Sequence, residues 1–156
     1  MSAKYEFTSE EKVVDGVTLR RIKRVSDGLV GGYLESEDNL SQAGKCFLHG
    51  TSVAYGSARI TEDAQVYGQV YDHAAVSGKA IVKGNVFGHA SVGGSAELHG
   101  RAYDRAMVRG EARIYGDAFE DATVEGSAVI YGRVHGQAHI SGSQILHGDI
   151  TRSPAD

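Results

Sequence analysis

Five ring-bearing residues, Tyr71, Phe87, Tyr103, Phe119 and His135, follow one another at intervals of sixteen. Tyrosine and phenylalanine offer large contact area at low cost in side-chain entropy, so a regular column of them suits adhesion. An identical subunit, another protein or a sugar could use such a strip. The competing role is internal: rings in register support one another through ring–ring contacts. A second column with the same interval is mixed, running Tyr67, Lys83, His99, Tyr115, Tyr131 and His147. It reads as an amphipathic, half-exposed edge.

The groups with acid–base or metal chemistry are less organised. His73 and His89 also stand sixteen apart, but a zinc site needs three or four converging ligands. Their column continues with Arg105, Asp121 and Gln137, so we expect neither a metal nor another cofactor, and expect Arg105 to pair with Asp121. His99, His139 and His147 each carry the side chain of a general base, yet no adjacent acceptor or acid marks one of them. The carboxylates Asp72, Asp104 and Glu120 alternate with Gly88 and Gly136, without the nonapeptide pattern of calcium-binding rolls. Cys46 is the single cysteine, which excludes an internal disulfide and a multi-cysteine zinc site. Its place at an inward position makes it a small hydrophobe rather than a nucleophile.

Composition bounds the class of function. The chain has 156 residues, enough for one domain, and a formal charge of −4, which argues against electrostatically driven nucleic-acid binding. The one basic cluster, Arg20, Arg21, Lys23 and Arg24, is interleaved with Leu19, Ile22 and Val25 and reads as the solvated face of a strand or short helix, with a nucleic-acid or acidic-partner patch as the weaker alternative. No apolar run is long enough to cross a membrane, and the segment after Met1 lacks the apolar core of a signal peptide, so we expect a cytoplasmic protein with no membrane partner. Twenty-one glycines against one proline call for a repeat that needs glycine at fixed places.

That repeat positions the columns. Residues 57–152 divide into six blocks of sixteen without an insertion, from SARITEDAQVYGQVYD to QAHISGSQILHGDITR. The second position is alanine in every block (Ala58 to Ala138) and the fourth is Ile or Val. The eighth is alanine until Gln144, the tenth is aliphatic, and the twelfth is always glycine (Gly68 to Gly148). Apolar residues alternate with polar ones within each unit, the period of a strand, and glycine at this density would break a helix. Each block is two six-residue units and one of four. A single short strand cannot bury its apolar face, whereas stacked coils bury all of them. Six coils about 4.8 Å apart make a column roughly 29 Å tall. We expect the glycines to supply corner backbone that other residues resist.

The N-terminal third does not repeat. Val13-Val14-Asp15-Gly16-Val17-Thr18-Leu19 places Asp-Gly between β-branched runs, a hairpin signal. We therefore assign residues 1–44 to a cap with a hairpin and an irregular first coil, 45–152 to the β-helix, and 153–156 to a polar tail. On nominally outer positions, Ile81, Met107 and Val129 are the candidate oligomer contact.

The x-Ala-x-Val-x-Gly units resemble the hexapeptide-repeat, left-handed parallel β-helix superfamily, here with sides of 6, 6 and 4 residues. The whole chain is similar to YdcK-type transferases and related short phage or prophage β-helix proteins. That second likeness rests on Lys4-Tyr5-Glu6-Phe7-Thr8, Leu19-Arg20-Arg21-Ile22, Gly31-Gly32-Tyr33-Leu34-Glu35-Ser36-Glu37 and Asn39-Leu40-Ser41. The resemblance implies a left-handed coil, a homo-oligomer and, in its enzymes, acyl transfer from an acyl-coenzyme A at a site between subunits. Those sites use a protruding loop, and the six blocks here contain none. The reading is thus an all-β, single-stranded parallel β-helix that presents a protein-binding surface, with Tyr71, Phe87, Tyr103, Phe119 and His135 as the binding ladder. It extends to a phage-encoded factor that occludes a host protein. An acyltransferase and a structural piece of a larger assembly are the alternatives.

Overall fold

The structure is a computed structural model that describes residues 3–152, so the 153–156 tail lies outside the described residues. It is a β-solenoid of stacked parallel coils, all-β apart from one short 3-10 turn at Glu37–Asn39. Three faces arise because each unit contributes one two-residue strand. The first face stacks Arg59–Ile60, Ala75–Val76, Ser91–Val92, Met107–Val108, Thr123–Val124 and His139–Ile140. The second runs from Phe47–Leu48 through Gln65–Val66 up to residues 145–146, and the third from Val53–Ala54 through Gln69–Val70 up to residues 149–150. Pairing throughout the regular column joins each residue to the one sixteen later, as in Ser91 with Met107.

Alternation explains the interior. The alanines at the second and eighth positions and the aliphatics at the fourth, tenth and fourteenth point inward, and in the first five regular coils all are essentially inaccessible. The small bore accepts two alanines per coil, which is why the lining is poor in large side chains.

The twelfth-position glycines overturn an expectation. Left-handed backbone does occur at the corners, but at the sixth position (Glu62, then Gly78, Gly94, Gly110, Gly126 and Gly142) and the sixteenth (Asp72, Gly88, Asp104, Glu120 and Gly136). At the twelfth position only Gly148, in the last coil, has positive φ. The glycines below it are required by contact instead: a Cβ on Gly68, Gly84 or Gly100 would lie 1.8 Å from the carbonyl oxygen of the next glycine, and on Gly116 or Gly132 1.9 Å. No side chain fits there, so asparagine gains nothing over valine. At the sixteenth position Asp72 and Asp104 tolerate the left-handed region because each carboxylate accepts the N–H of the residue one coil above, at Gly88 and Glu120, both 3.1 Å.

The lower end is closed by the chain itself. Strands β1 (Tyr5–Val14) and β2 (Val17–Arg24) form the hairpin, turning at Asp15-Gly16 with φ of 50° and 78°. Strand β3 (Val30–Leu34) pairs antiparallel with β2 and parallel with Val53–Ala54, so the hairpin prolongs the third face. The irregular coil above it is larger than the others. Leu40 pairs with Ile60, Phe47 with Gln65 and Val53 with Gln69, so the offset shrinks from 20 to 18 to 16 residues. Tyr5 and Ile22 cover this wide mouth, and the Tyr5 hydroxyl donates to the Leu40 carbonyl at 2.5 Å. Buried Asn39 donates its amide to the Gly56 and Ala58 carbonyls (3.1 and 2.9 Å), satisfying an edge that would otherwise lack partners.

Three substitutions test this architecture by thermal and denaturant unfolding. Gly116→Ala should lose about 3 kcal/mol or more through backbone overlap, and Ala106→Leu roughly 1–3 kcal/mol by overfilling the bore. Glu62→Gly should gain about 0.5–1 kcal/mol, because it relieves a left-handed non-glycine at a position that is glycine in the other five regular coils. A loss on Glu62→Gly, or none on Gly116→Ala, would contradict the corner assignment.

Candidate functional site

Stacking at a fixed interval turns every outward position into a column, and two columns carry rings. The fifteenth-position ladder is continuous: Tyr71 to Phe87, Phe87 to Tyr103 and Tyr103 to Phe119 all stack with centroids 5.0 Å apart and planes within 2°. His135 completes it above Phe119 at 4.6 Å. The rungs are half-buried, not fully exposed.

Both ends of this ladder are anchored. Below, Tyr55 adds a rung against Tyr71 at 5.2 Å; it is buried with Leu19, Tyr33 and Val53 beneath the hairpin. Its hydroxyl donates to the Asp15 carboxylate at 2.8 Å, which ties the ladder to the hairpin turn. Tyr55 lies sixteen residues before Tyr71, so subtracting one more period would have found it. Burial pushes the phenols of Tyr55, Tyr71 and Tyr103 up, and for Tyr55 the Asp15 hydrogen bond adds to the effect. Above, the His135 ring bonds Asp149 (2.5 Å) and Glu120 (3.1 Å). The Asp149 hydrogen bond is the main cause of a raised His135 pKa, with Glu120 reinforcing it.

The eleventh-position column is the more exposed one. His49 stacks on Tyr67, Lys83 interrupts, and then His99, Tyr115, Tyr131 and His147 stack at 4.6, 5.1 and 5.0 Å. Tyr115 and Tyr131 are 42% and 51% exposed, and the adjacent Ile145 is 63% exposed. Val129 and Ile145 sit in register beside these rings, so the upper end of the second face carries one apolar strip. Within each run of stacked rings the interior faces are taken by neighbouring rings. A sugar platform needs a free face, which inside either ladder is taken by the neighbouring ring.

The three candidate oligomer residues do not come together. Ile81 and Val129 lie on the second face three coils apart, and Met107 is on the first face between Ser91 and Thr123. Ile145, at the same ninth position as Ile81 and Val129, is the prominent outer aliphatic.

The titratable groups are occupied by structural pairs. Arg101–Asp117, Arg105–Asp121, Arg109–Glu125 and Arg133–Asp149 each join an arginine to an acid sixteen residues on, at 2.7–3.2 Å. His139 bonds Glu125, and this contact, followed by Arg109, holds the Glu125 carboxyl below its usual range. His73 and His89 stack at 4.7 Å, beside a shallow groove lined by His89, Asp104, Arg105, Glu120 and Asp121. Among the described residues no three His, Cys, Asp or Glu side chains converge as a metal site. His99 lies 3.6 Å from Glu97 and stacks on Tyr115. Cys46 is buried, with the Lys4 ammonium donating to its sulfur at 3.1 Å. The basic cluster of β2 is likewise engaged, Arg21 with Glu10, Lys23 with Glu6 and Arg24 with Asp27, and Arg20, Arg21 and Arg24 lie over the rings of Phe7, Tyr33 and Phe47.

No protein-family model matches this chain, and no curated protein matches it as a relative.

The raised His135 pKa fixes a sign. Its stabilising contribution is complete below the unfolded value near 6.5 and is lost as pH rises through the folded value. His135→Phe keeps the ring and removes the titration. The melting temperature of the parent, relative to this variant, should therefore fall as pH rises above about 6.5. A difference independent of pH would show that the Asp149 and Glu120 contacts contribute nothing to folding.

Proposed function

We propose that this protein is a non-catalytic scaffold whose solenoid presents a protein-binding surface. The observation that carries this reading is the strip of Tyr115, Val129, Tyr131 and Ile145 at the upper end of the second face, where exposed rings and aliphatics lie together on rigid backbone. Tyrosine edges there offer hydroxyls to a partner's polar groups, while Ile145 and Val129 supply apolar area. The ladder Tyr71, Phe87, Tyr103, Phe119 and His135 contributes a second, less exposed margin. Its anchoring under the hairpin and at Asp149 favours support of the fold as its main task.

The finer reading rests on resemblance: a hexapeptide-repeat protein of phage or prophage origin, acting in the cytoplasm by occluding a host protein. A rigid rod with a flat apolar margin suits occlusion, because little conformational entropy is lost on contact. The acyltransferase alternative needs a base with a neighbouring acceptor site, and the histidines here are stacked or ion-paired instead.

Two measurements test the reading. Tyr115→Ser with Tyr131→Ser should keep the circular dichroism spectrum and lower at least tenfold the recovery of proteins that co-purify with the parent. Acetyl-coenzyme A should leave the melting temperature unchanged. Unaltered recovery would move the surface elsewhere, and a clear acetyl-coenzyme A shift would favour the acyltransferase.

A further inference from the structure

We propose that the occupant of the strip described above is a second copy of this chain, the two rods lying antiparallel with their second faces together; this rests on the reading of that strip as a protein-binding surface. With the blocks of residues 57–152 counted as coils one to six, the two-fold axis lies in the contact, along the strands, between coils three and four.

Outward residues of the second face stand in two straight rows. The ninth-position row runs Gln65, Ile81, Glu97, Arg113, Val129 and Ile145, each in register with the next. The eleventh-position row beside it is the ring column from Tyr67 to His147, interrupted by exposed Lys83. Successive coils hardly rotate, since the fifteenth-position rings stay within 2° of parallel. Untwisted faces hold one register over their whole height, whereas twisted sheets diverge.

Turning one face onto the other about that axis reverses the rod and keeps each row on its own row. Coil one faces coil six of the second copy, coil two faces coil five, and coil three faces coil four. Ile81 then lies on Val129 of the second copy, so residues three coils apart in one chain become neighbours. Glu97 lies on Arg113 of the second copy. In the ring row Lys83 meets the Tyr131 hydroxyl of the second copy, an acceptor for its ammonium, and His99 meets Tyr115. Two-fold symmetry makes every pair twice. Arg113 lies 3.4 Å from Glu97 of its own chain, and a guanidinium carries five N–H donors. The two arginines and two glutamates therefore close a ring of alternating charge without giving up the internal pairs. At the ends Tyr67 meets His147 of the second copy, and Ile145 covers the stem of Gln65.

Other registers oppose like charges or bury a charge on an aliphatic. An axis through coil three sets Glu97 against itself, and one through coil four sets Arg113 against itself. Between coils two and three Ile81 faces Glu97, and between four and five Val129 faces Arg113. An axis parallel to the rod exchanges the rows and puts Ile81 on Lys83. The chosen axis joins unlike charges, joins apolar with apolar and covers all six coils. Six coils about 4.8 Å apart give a contact roughly 29 Å long and two rows wide, the size of a micromolar dimer.

Sedimentation equilibrium on the full chain at about 100 μM, above a micromolar dissociation constant, should give twice the 16.6 kDa chain mass. Glu97→Arg and Arg113→Glu should each keep the circular dichroism spectrum and, alone, raise the dissociation constant roughly 100-fold through two like-charge contacts. Mixed in equal amounts, the two variants should form a one-to-one dimer, because each altered residue then faces its opposite charge on the other chain. Neither variant chain holds an opposite pair of its own at these positions, so an internal ion pair cannot produce that result. A monomeric parent, a larger assembly, single variants that dimerise like the parent, or a mixture that stays monomeric would each overturn the proposal. If the parent is monomeric while Tyr115→Ser with Tyr131→Ser still lowers the recovery of other proteins, this proposal falls and the strip stands as a surface for them. A mixture that dimerises supports self-association whatever else co-purifies.

Discussion

Every residue of the regular column lies against the residue sixteen positions away, and the rest of the structure follows from that contact. A side chain must be compatible with whatever occupies its own position one coil above and below. Alanine and Val or Ile meet this inside, where the bore is narrow and the strands are 2 residues long. At the tightest corner no side chain meets it, and a column of glycines results. Outside, the same rule selects groups that attract their neighbours: ring on ring, and arginine on acid one coil later.

The inward columns, the parallel stacking and the hairpin were legible because each leaves a periodic or local signature in the sequence. Ala58 to Ala138, and Asp15-Gly16 between β-branched runs, need no coordinates to interpret. The reason for the glycine column was not legible. An invariant glycine marks either left-handed backbone or a close approach, and the sequence signal is the same for both. Discriminating evidence did lie elsewhere, since the sixth position is glycine in five of six blocks with Glu62 as the exception. The irregular coil was harder still, because Leu40, Phe47 and Val53 obey offsets of 20, 18 and 16, which no single period finds.

The ring columns show how a one-dimensional pattern can mislead about exposure. Odd positions point outward in both, yet one ladder is half-buried along its length and pinned at Asp15 and Asp149, while the other stands in solvent. Where a column sits relative to the short side and the hairpin decides this, and the sequence alone does not contain that angle. The scattering of Ile81, Met107 and Val129 over two faces follows from their third and ninth positions in the block, which belong to different six-residue sides.

The hydrogen bonds between coils run along the axis of the rod, from N–H of one coil to C=O of the next. Sheets loaded along their strands, in shear, share the force among many bonds at once. Here a pull on the two ends loads the coils in series, so each interface bears the whole tension. The rod is stiff against bending, because three faces carry pairing on all sides of the bore. It is weak in extension, and it parts by peeling from whichever end is less well fastened. The hairpin fastens the lower end, because through β3 it continues the third face beyond the stacked coils.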